Sequence, residues 1–383
     1  MNFQPLKDFL DFYLPMLGVP GSDTSIYRGH EEIFRYQSGY DNLTFRTPVR
    51  DNALYNVYSI TKVSCAVAAT QLIERGEILV DDPVYAYFPE YKDITVRKTT
   101  ESGEEIITPA KNTLLIKHLL TMTGGLDYDV SRPAIEAVKQ ETCGRAPTLD
   151  VVRAIAKDPF DFEPGEGFKY SLCLDVMGGI IELVSGMKLS EYMRENIFEP
   201  LGMKNTYFGM NDDIRSRLAT QYRYDTEHRC AVEIPPDNTF VIGSEYESAG
   251  AGLVSCVEDQ AILADALANG GVGKNGERIL SRFGIRLMST NALEGKAFED
   301  FRNSTLTDRV GYGYGYGVRV NMEPARVGNL APVGEFGWDG AKCSYMLIDP
   351  ENSISFFHAE HMGGLHKMIS PRLRNLVYSC IGE

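Results

Sequence analysis

The chain has 383 residues, of which 43% are hydrophobic and 24% are charged. These proportions are typical of globular proteins and exclude a mainly disordered or fibrous chain. The 53 acidic residues outnumber the 38 basic ones, which gives a formal net charge of −15. An acidic surface repels phosphate backbones and anionic lipids, so neither nucleic acid nor a membrane is an expected partner.

The N-terminal segment and the cysteines predict a cytoplasmic protein. Asp8, Asp11 and Pro15 interrupt the apolar residues near the start of the chain, so we expect no signal peptide. No apolar run reaches the roughly 18 residues needed to span a membrane. The seven cysteines include no CxxC pair, a pattern typical of reduced thiols.

The first part of the chain predicts a β-hairpin, because β-type segments at residues 24–28 and 31–37 flank Gly29 and His30. Four segments with helical apolar patterns follow, and glycines or capping residues mark their ends. These predicted helices cover residues 63–73, residues 113–120, residues 171–184 and the segment after a capping box at residues 255–258.

The C-terminal part returns to strands, at residues 312–321, 343–349 and 353–361, and then to a helix at residues 367–381. The glycine-rich run that opens the first of these strands lacks the lysine and helix start of a phosphate loop, so we interpret it as a strand weakened by glycine. His358 and His361 share a predicted strand, where their rings would not converge on a metal ion. We expect neither a metal nor an organic cofactor.

Strands at both ends and helices between them predict an α/β protein of the α+β type. Its antiparallel sheet would be formed by N- and C-terminal strands and flanked by helices. Residues 1–80 and 305–383 would form this sheet region. Residues 81–304 would form a mostly helical inserted region, with the active site at the junction of the two.

The pattern Ser-x-x-Lys occurs twice, as Ser59 with Lys62 and as Ser185 with Lys188. Positions i and i+3 of a helix share a face, so a serine that opens a helix lies beside the lysine amine. The helix N-terminus favours a developing alkoxide, and a partly buried lysine can lose its charge and act as a base. Ser59 opens the most apolar predicted helix, whereas Ser185 lies at a helix end beside Gly186. Ser59 is therefore the predicted nucleophile.

Five segments, in order along residues 26–361, resemble the serine β-lactamase and penicillin-binding-protein superfamily. The resemblance implies a β-lactamase/transpeptidase-like fold. The segments are residues 55–62 (YNVYSITK, the nucleophile motif), 119–126 (LLTMTGGL), 163–171 (EPGEGFKYS), 198–206 (FEPLGMKNT) and 250–255 (GAGLVS).

The resemblance implies a second catalytic residue, Tyr170, at the tyrosine of the family's Tyr-x-Asn motif. In the family this phenol exchanges protons with the nucleophile, and the Lys62 cation would help it to do so. Leu172 replaces the asparagine, so one amide contact to the substrate or to the lysine is lost. A literal Tyr-x-Asn at residues 40–42 precedes the nucleophile and falls in a predicted turn, so we do not expect it to be the site.

The third motif of the family, Lys-Thr-Gly in β-lactamases, falls on Trp338, Asp339 and Gly340. Together with Leu172, this W-x-G form resembles the family VIII carboxylesterases. In β-lactamases the motif lysine contacts the carboxylate of the lactam. Its absence removes a charge-assisted contact that an anionic lactam needs and a neutral ester does not.

The resemblance also predicts groups that bind the substrate around Ser59. The amides of Ser59 and Ala341 would form an oxyanion hole, with Gly340 allowing close approach of the backbone. Tyr128 follows the glycine pair at residues 124–125 and is a further predicted substrate contact, as is Leu172.

The sequence thus predicts a serine hydrolase, and a carboxylesterase for small esters in particular. Ser59 would form the acyl-enzyme, with Tyr170 and Lys62 as the proton-transfer pair. A β-lactamase or a D-amino-acid peptidase or amidase is an alternative, and a non-catalytic acylable receptor of the penicillin-binding type is another. The expected partner is a small ester or amide, and the oligomeric state stays open.

Overall fold

A computed structural model describes residues 1–304 and 310–382 of the protein, and an eight-stranded antiparallel sheet dominates it. The order across this sheet is β11-β12-β13-β14-β15-β1-β2-β3, so strands from both ends of the chain meet between β15 and β1. The predicted sheet is therefore confirmed. The strands are Gly21–Arg28 (β1), Glu31–Asn42 (β2), Thr47–Pro48 (β3), Tyr55–Asn56 (β4), Thr95–Thr99 (β5), Glu105–Pro109 (β6), Tyr207–Phe208 (β7), Gln221–Asp225 (β8), Cys230–Ile234 (β9), Leu253–Ser255 (β10), Tyr312–Tyr314 (β11), Arg319–Asn321 (β12), Phe336–Asp339 (β13), Tyr345–Asp349 (β14), Ile354–Ala359 (β15) and Met362–Gly363 (β16).

The central strands are apolar on both faces because each face packs against helices. Met346 and Ile348 of β14 belong to the large core, whereas Tyr345 and Leu347 belong to a second core. This alternation follows from the strand geometry, in which successive side chains point to opposite faces. No helix within the described residues is long and apolar enough to cross a membrane. The α-helices are Gln4–Asp8 (α1), Leu14–Met16 (α2), Thr61–Glu74 (α3), Ile116–Leu120 (α4), Pro133–Glu141 (α5), Thr148–Ile155 (α6), Cys173–Ser185 (α7), Leu189–Met193 (α8), Glu199–Leu201 (α9), Asp212–Arg217 (α10), Val257–Ala268 (α11), Arg282–Met288 (α12), Gly295–Arg302 (α13), Pro324–Val327 (α14) and His366–Ile381 (α15).

The glycine-rich run near the C-terminus is a hairpin rather than one strand. β11 and β12 pair antiparallel, with Tyr312 opposite Asn321, and the chain reverses between them. A Cβ atom at Gly315 would lie 2.1 Å from the carbonyl oxygen of Met288, so the reversal packs against α12 in a way that only glycine permits.

Two predicted helix starts are wrong by a few residues. The helix expected from residue 113 begins at Ile116, where the ring of His118 accepts a hydrogen bond from the Leu115 N–H. The capping residue of α11 is Cys256 and not Ser255, because its Sγ accepts the Asp259 N–H at 3.4 Å. Ser255 instead completes β10 of a small sheet.

Residues 81–304 hold helices α4–α13 and the short strands β5–β10. Two three-stranded sheets link this part of the chain to the rest, since β10 pairs with β4 and β8 pairs with β16. The division into two regions stays a prediction. Its second boundary adjoins residues 305–309, which lie outside the described residues.

Candidate active site

Ser59 lies in the short 3₁₀ turn Tyr58–Ile60, directly before α3. Tyr58 has a φ of 48°, a left-handed conformation that is uncommon for a residue with a side chain. Its hydroxyl donates a hydrogen bond to Gln221 Oε1, and its carbonyl oxygen accepts one from Thr61 Oγ1 at 2.6 Å. These bonds hold the bend, which leaves Ser59 partly exposed at the start of a buried helix.

Lys62, one turn into α3, is fully buried. Its ammonium donates hydrogen bonds to Tyr128 Oη at 3.0 Å and to the Gly250 carbonyl oxygen at 2.6 Å, and it lies 4.6 Å from the ring centroid of Tyr170. Burial alone would lower the pKa of Lys62, but the oxygens of Tyr128, Tyr170 and Asp175 raise it above its ordinary value. These surroundings favour the charged form of Lys62, and its role as a base stays a prediction.

Asp175 in the first turn of α7 is a buried carboxyl group near this ammonium. Its Oδ1 accepts hydrogen bonds from Tyr246 Oη at 2.9 Å, Ser248 Oγ at 2.6 Å and the Gly250 N–H at 3.3 Å. A Cβ atom at Gly250 would lie 2.4 Å from Asp175 Oδ2 and 3.1 Å from Lys62 Nζ, so the two charges flank a position that only glycine can occupy. Sequence analysis did not identify Asp175, although a carboxylate in an apolar helix was an available signal.

Three aromatic rings stack beside Lys62. Tyr170 lies between Tyr128 and Trp338, with centroid separations of 5.4 Å and 5.5 Å. Trp338 is 3% exposed, and its Nε1–H donates a hydrogen bond to Tyr170 Oη at 3.0 Å. A cation and an N–H donor thus converge on one phenol. Tyr128, predicted only as a substrate contact, is a hydrogen-bond partner of the lysine.

β13 brings the third predicted motif, residues 338–340, against the Tyr58–Ile60 turn. A Cβ atom at Gly340 would lie 2.4 Å from the Val57 carbonyl oxygen, so glycine is required for this approach. Ala341 follows directly and is exposed. Residues that lie about 280 positions apart in the sequence therefore meet beside Ser59.

A buried arginine supports the same strand from within the sheet. Arg319 forms ion pairs of 3.2 Å with Glu335 and with Asp339, and it donates a hydrogen bond to the Met346 carbonyl oxygen at 2.9 Å. Removing one partner of such a buried group leaves an uncompensated charge, which is strongly destabilising. These bonds of Arg319 fix the position of β13 in the sheet.

Leu172, which was a predicted substrate contact, lies apart from these groups, and the literal Tyr-x-Asn motif was not expected among them. Leu172 is 4% exposed and packs in the core with Phe160 around a small internal cavity, so its side chain is not placed to meet a substrate. Its N–H donates a hydrogen bond to the Asp127 carbonyl oxygen at 2.9 Å. The literal Tyr-x-Asn at residues 40–42 ends β2 and is not a turn as predicted.

His358 and His361, which share the predicted strand, have separate partners. His358 on β15 contacts Thr24 Oγ1 through Nδ1 at 2.8 Å, whereas His361 packs edge-on against Tyr55. Burial lowers the pKa of His361 to about 3. In residues 1–304 and 310–382, no group of three or more His, Cys, Asp or Glu side chains is arranged to hold a metal ion.

Residues 7–359 match the family described as Beta-lactamase. The chain belongs to this family. Among its relatives, Protein Rv1367c of Mycobacterium tuberculosis is 30% identical over 345 residues, which cover 88% of this chain and 84% of that protein. Esterase EstB of Burkholderia gladioli is 25% identical over 384 residues, with coverage of 94% and 91%.

The fold of this Beta-lactamase-family protein also matches solved structures. A family VIII carboxylesterase superposes with a TM-score of 0.70 at 20% sequence identity, covering 94% of this chain and 92% of that one. The predicted resemblance and the β-lactamase/transpeptidase-like fold are therefore confirmed. The family and its esterase relative support hydrolase activity.

Proposed function

We propose that the protein is a serine hydrolase that cleaves small, uncharged carboxylic esters through an acyl-enzyme on Ser59. The observation that carries the proposal is the convergence on Tyr170. The Lys62 ammonium lies 4.6 Å from its ring centroid and the Trp338 N–H donates to its hydroxyl oxygen. Both groups stabilise negative charge on a phenolic oxygen, which is what a proton acceptor for the serine needs.

In the proposed reaction, the phenolate of Tyr170 accepts the Ser59 proton as Oγ attacks the ester carbonyl carbon. The phenol then returns that proton to the alcohol oxygen as the ester bond breaks, leaving the acyl group on the serine. Water attacks the acyl carbon in the second half, giving its proton to Tyr170, which passes it to the departing Ser59 oxygen. The amides of Ser59 and Ala341 would donate to the oxyanion, a contribution of about 2.7–4 kcal/mol per donor.

Lys62 acts in this scheme as a fixed cation and not as the proton acceptor. Its raised pKa and its bonds to Tyr128 and Gly250 support that role. The carboxylate of Asp175 balances its charge across Gly250. The charge of the site therefore stays constant while the proton moves between serine and tyrosine.

An uncharged substrate is proposed because Trp338 stands where β-lactamases carry the motif lysine. The indole N–H is already bonded to Tyr170, so it offers no cation to a carboxylate. Lys342 follows this segment in the sequence, but its ammonium lies beside Gly363. A Cβ atom built on Gly363 would be 3.5 Å from Lys342 Nζ. The relative named Esterase EstB supports an ester as the substrate.

A substrate panel tests the proposal. It consists of short p-nitrophenyl esters, a chromogenic cephalosporin and D-alanyl amides, each assayed with the wild type and with Ser59→Ala. We expect kcat/KM for the best ester to exceed that for the cephalosporin by about 10- to 150-fold, the worth of one charge-assisted hydrogen bond. A cephalosporin hydrolysed as fast as the best ester would favour the β-lactamase alternative, and faster turnover of D-alanyl amides would favour a peptidase.

The panel also separates an enzyme from an acylable receptor. A fluorophosphonate should label Ser59 once, and turnover of the ester should continue through many cycles. Labelling without turnover would instead identify a receptor.

A cytoplasmic location is proposed on the state of the cysteines. Six of the seven are free thiols, and four of these six are buried: Cys65, Cys173, Cys256 and Cys343. Free thiols persist in a reducing compartment. Cell fractionation with an antibody against the protein tests this location, and recovery in the extracellular fraction would contradict it.

A further inference from the structure

We infer that Phe240 determines substrate specificity by packing against an uncharged, apolar group of the ester next to the scissile bond. This inference rests on the proposed function and adds to it the class of group that the site accepts. Phe240 lies in the connection between β9 and β10, outside the motifs discussed above.

The loop at residues 235–242 is fixed to the segments that form the site. Gln221 Nε2 donates a hydrogen bond to the Pro235 carbonyl oxygen at 3.4 Å, and Asn56 Nδ2 donates one to that of Pro236 at 2.9 Å. Asn238 Nδ2 donates to the Ala251 carbonyl oxygen at 2.7 Å. Asn56 lies close in sequence to Ser59, and Ala251 follows Gly250. Gln221 accepts the hydrogen bond of the Tyr58 hydroxyl. The loop position is therefore coupled to the site.

The ring of Phe240 contacts both sides of the proposed machinery. It packs edge-to-face against Tyr58, with centroids 6.2 Å apart, and against Tyr128, with centroids 5.1 Å apart. Tyr58 immediately precedes Ser59, and Tyr128 accepts the hydrogen bond of Lys62. Phe240 therefore contacts both the residue that precedes the nucleophile and the hydrogen-bond partner of Lys62.

Part of the Phe240 ring remains exposed, so a further group can pack against it. Its two described ring neighbours are aromatic, and the Lys62 ammonium already bonds to Tyr128 and Gly250. An apolar or aromatic group of the substrate would bury apolar surface area and form ring contacts against such a surface. A charged group would lose hydration there without gaining a partner.

Two ester series assayed with Phe240→Ala test this inference. One series varies the acyl chain from two to eight carbons with p-nitrophenol constant, and the other varies the alcohol from ethyl to benzyl with acetate constant. The first reports on the acyl side and the second on the alcohol side. We expect the variant to lose about 10-fold in kcat/KM for the best wild-type ester and to change its size preference in one series.

Phe298→Ala is the matched control, because this partly buried ring packs against Arg302 on α13 and should leave both profiles unchanged. Asn238→Ala removes a loop anchor and keeps the ring, so it should change the same profile in the same direction by a smaller factor. Stoichiometric fluorophosphonate labelling reports whether each variant is folded. If Phe240→Ala fails to label, Phe240→Leu is assayed in its place.

The outcomes separate this inference from the proposed function. Phe240→Ala that still labels but keeps the wild-type size preference in both series would overturn the role of Phe240. That result would leave the esterase proposal intact. A wild type that neither labels nor hydrolyses any ester would overturn the proposed function itself.

Discussion

The two Ser-x-x-Lys segments of this chain share a spacing and differ in almost everything else. Ser59 precedes a buried helix and is partly exposed in a strained turn, while Ser185 is the last residue of α7. The Ser185 hydroxyl donates a hydrogen bond to the Ile181 carbonyl oxygen at 2.7 Å and accepts one from the Met187 N–H at 3.2 Å. The Ser185 hydroxyl therefore binds the backbone at the end of α7.

The two lysines differ in the same way. Lys62 is fully buried and bonded to Tyr128 and Gly250, whereas Lys188 is exposed just before α8. A spacing of three residues brings a hydroxyl and an amine to one face of any helix. Only the packing around the pair determines whether it can do chemistry, and a change at each segment should therefore have a different kind of effect.

The largest expected effect comes from the two serines. Ser59→Ala should lower ester turnover by at least about 10⁴-fold and abolish covalent labelling, because it removes the nucleophile. Ser185→Ala should keep activity within about twofold and lower the free energy of unfolding by about 1 kcal/mol through two lost hydrogen bonds. Initial rates, mass spectrometry of the label and urea unfolding measure these outcomes. Stoichiometric labelling of Ser59→Ala at one position would contradict the assignment.

The next effect concerns the phenol of Tyr170, which lies beside Lys62. Tyr170→Phe keeps the ring and removes the hydroxyl, so it should lower kcat by about 10²- to 10⁴-fold, the range for general acid–base groups. Tyr207→Phe is the control, since its hydroxyl bonds to the Lys204 carbonyl oxygen at the surface. An unchanged rate in folded Tyr170→Phe would leave Lys62 as the only candidate base.

A smaller effect is expected from the indole that supports the phenol. Trp338→Phe keeps an aromatic ring on Tyr170 and removes the N–H donor, which should cost about 10- to 150-fold in kcat if the phenolic oxygen carries charge in the reaction. The KM of the same variant should be close to that of the wild type. If KM rises while kcat stays constant, Trp338 is a substrate contact and not a partner of Tyr170.

The smallest effect concerns stability near Ser185, where Glu182 lies one turn earlier on α7. Burial, followed by the charge of Glu247, raises the pKa of Glu182 from about 4.5 to about 7. Between these values the unfolded chain has already lost the proton and the folded chain keeps it. The free energy of unfolding should therefore fall as the pH rises through this window.

Glu182→Gln tests this pH dependence. The amide oxygen can still accept the Leu189 N–H, so the variant should be about 1–2 kcal/mol more stable than the wild type at pH 8 and equal to it near pH 4. Urea unfolding at several pH values measures the difference. Glu277→Gln is the control, because Glu277 is an exposed carboxylate in another part of the chain. A pH-independent difference for Glu182→Gln would contradict the argument.

Local patterns predicted much of the fold, because the hairpin, α3, α7 and α15 depend on periodicity and on turn residues. The resemblance placed Ser59, Lys62 and Tyr170 in segments that the structure brings together. The bonds of Lys62 to Tyr128 and Gly250 span 66 and 188 residues, and no local pattern encodes such contacts.

Two errors have the same physical origin. β13 was not predicted as a strand, because its four residues are too few to show a period of two. Leu172 was expected at the substrate because the family has a polar residue there, but a leucine gains more by packing in the core. In both cases tertiary packing determined the local structure, which the sequence pattern alone did not specify.

The pairing of β1 with β15 also has a consequence for protein synthesis. Thr24 and His358, which contact each other in the centre of the sheet, are 334 residues apart. At about 5–20 residues per second, a ribosome needs roughly 20 to 70 s between making the first and the second. During that time the newly made β1–β2 hairpin exposes a strand edge that another nascent chain could pair with. We therefore expect the yield of overexpressed protein to depend strongly on chain concentration and on chaperones that shield this hairpin.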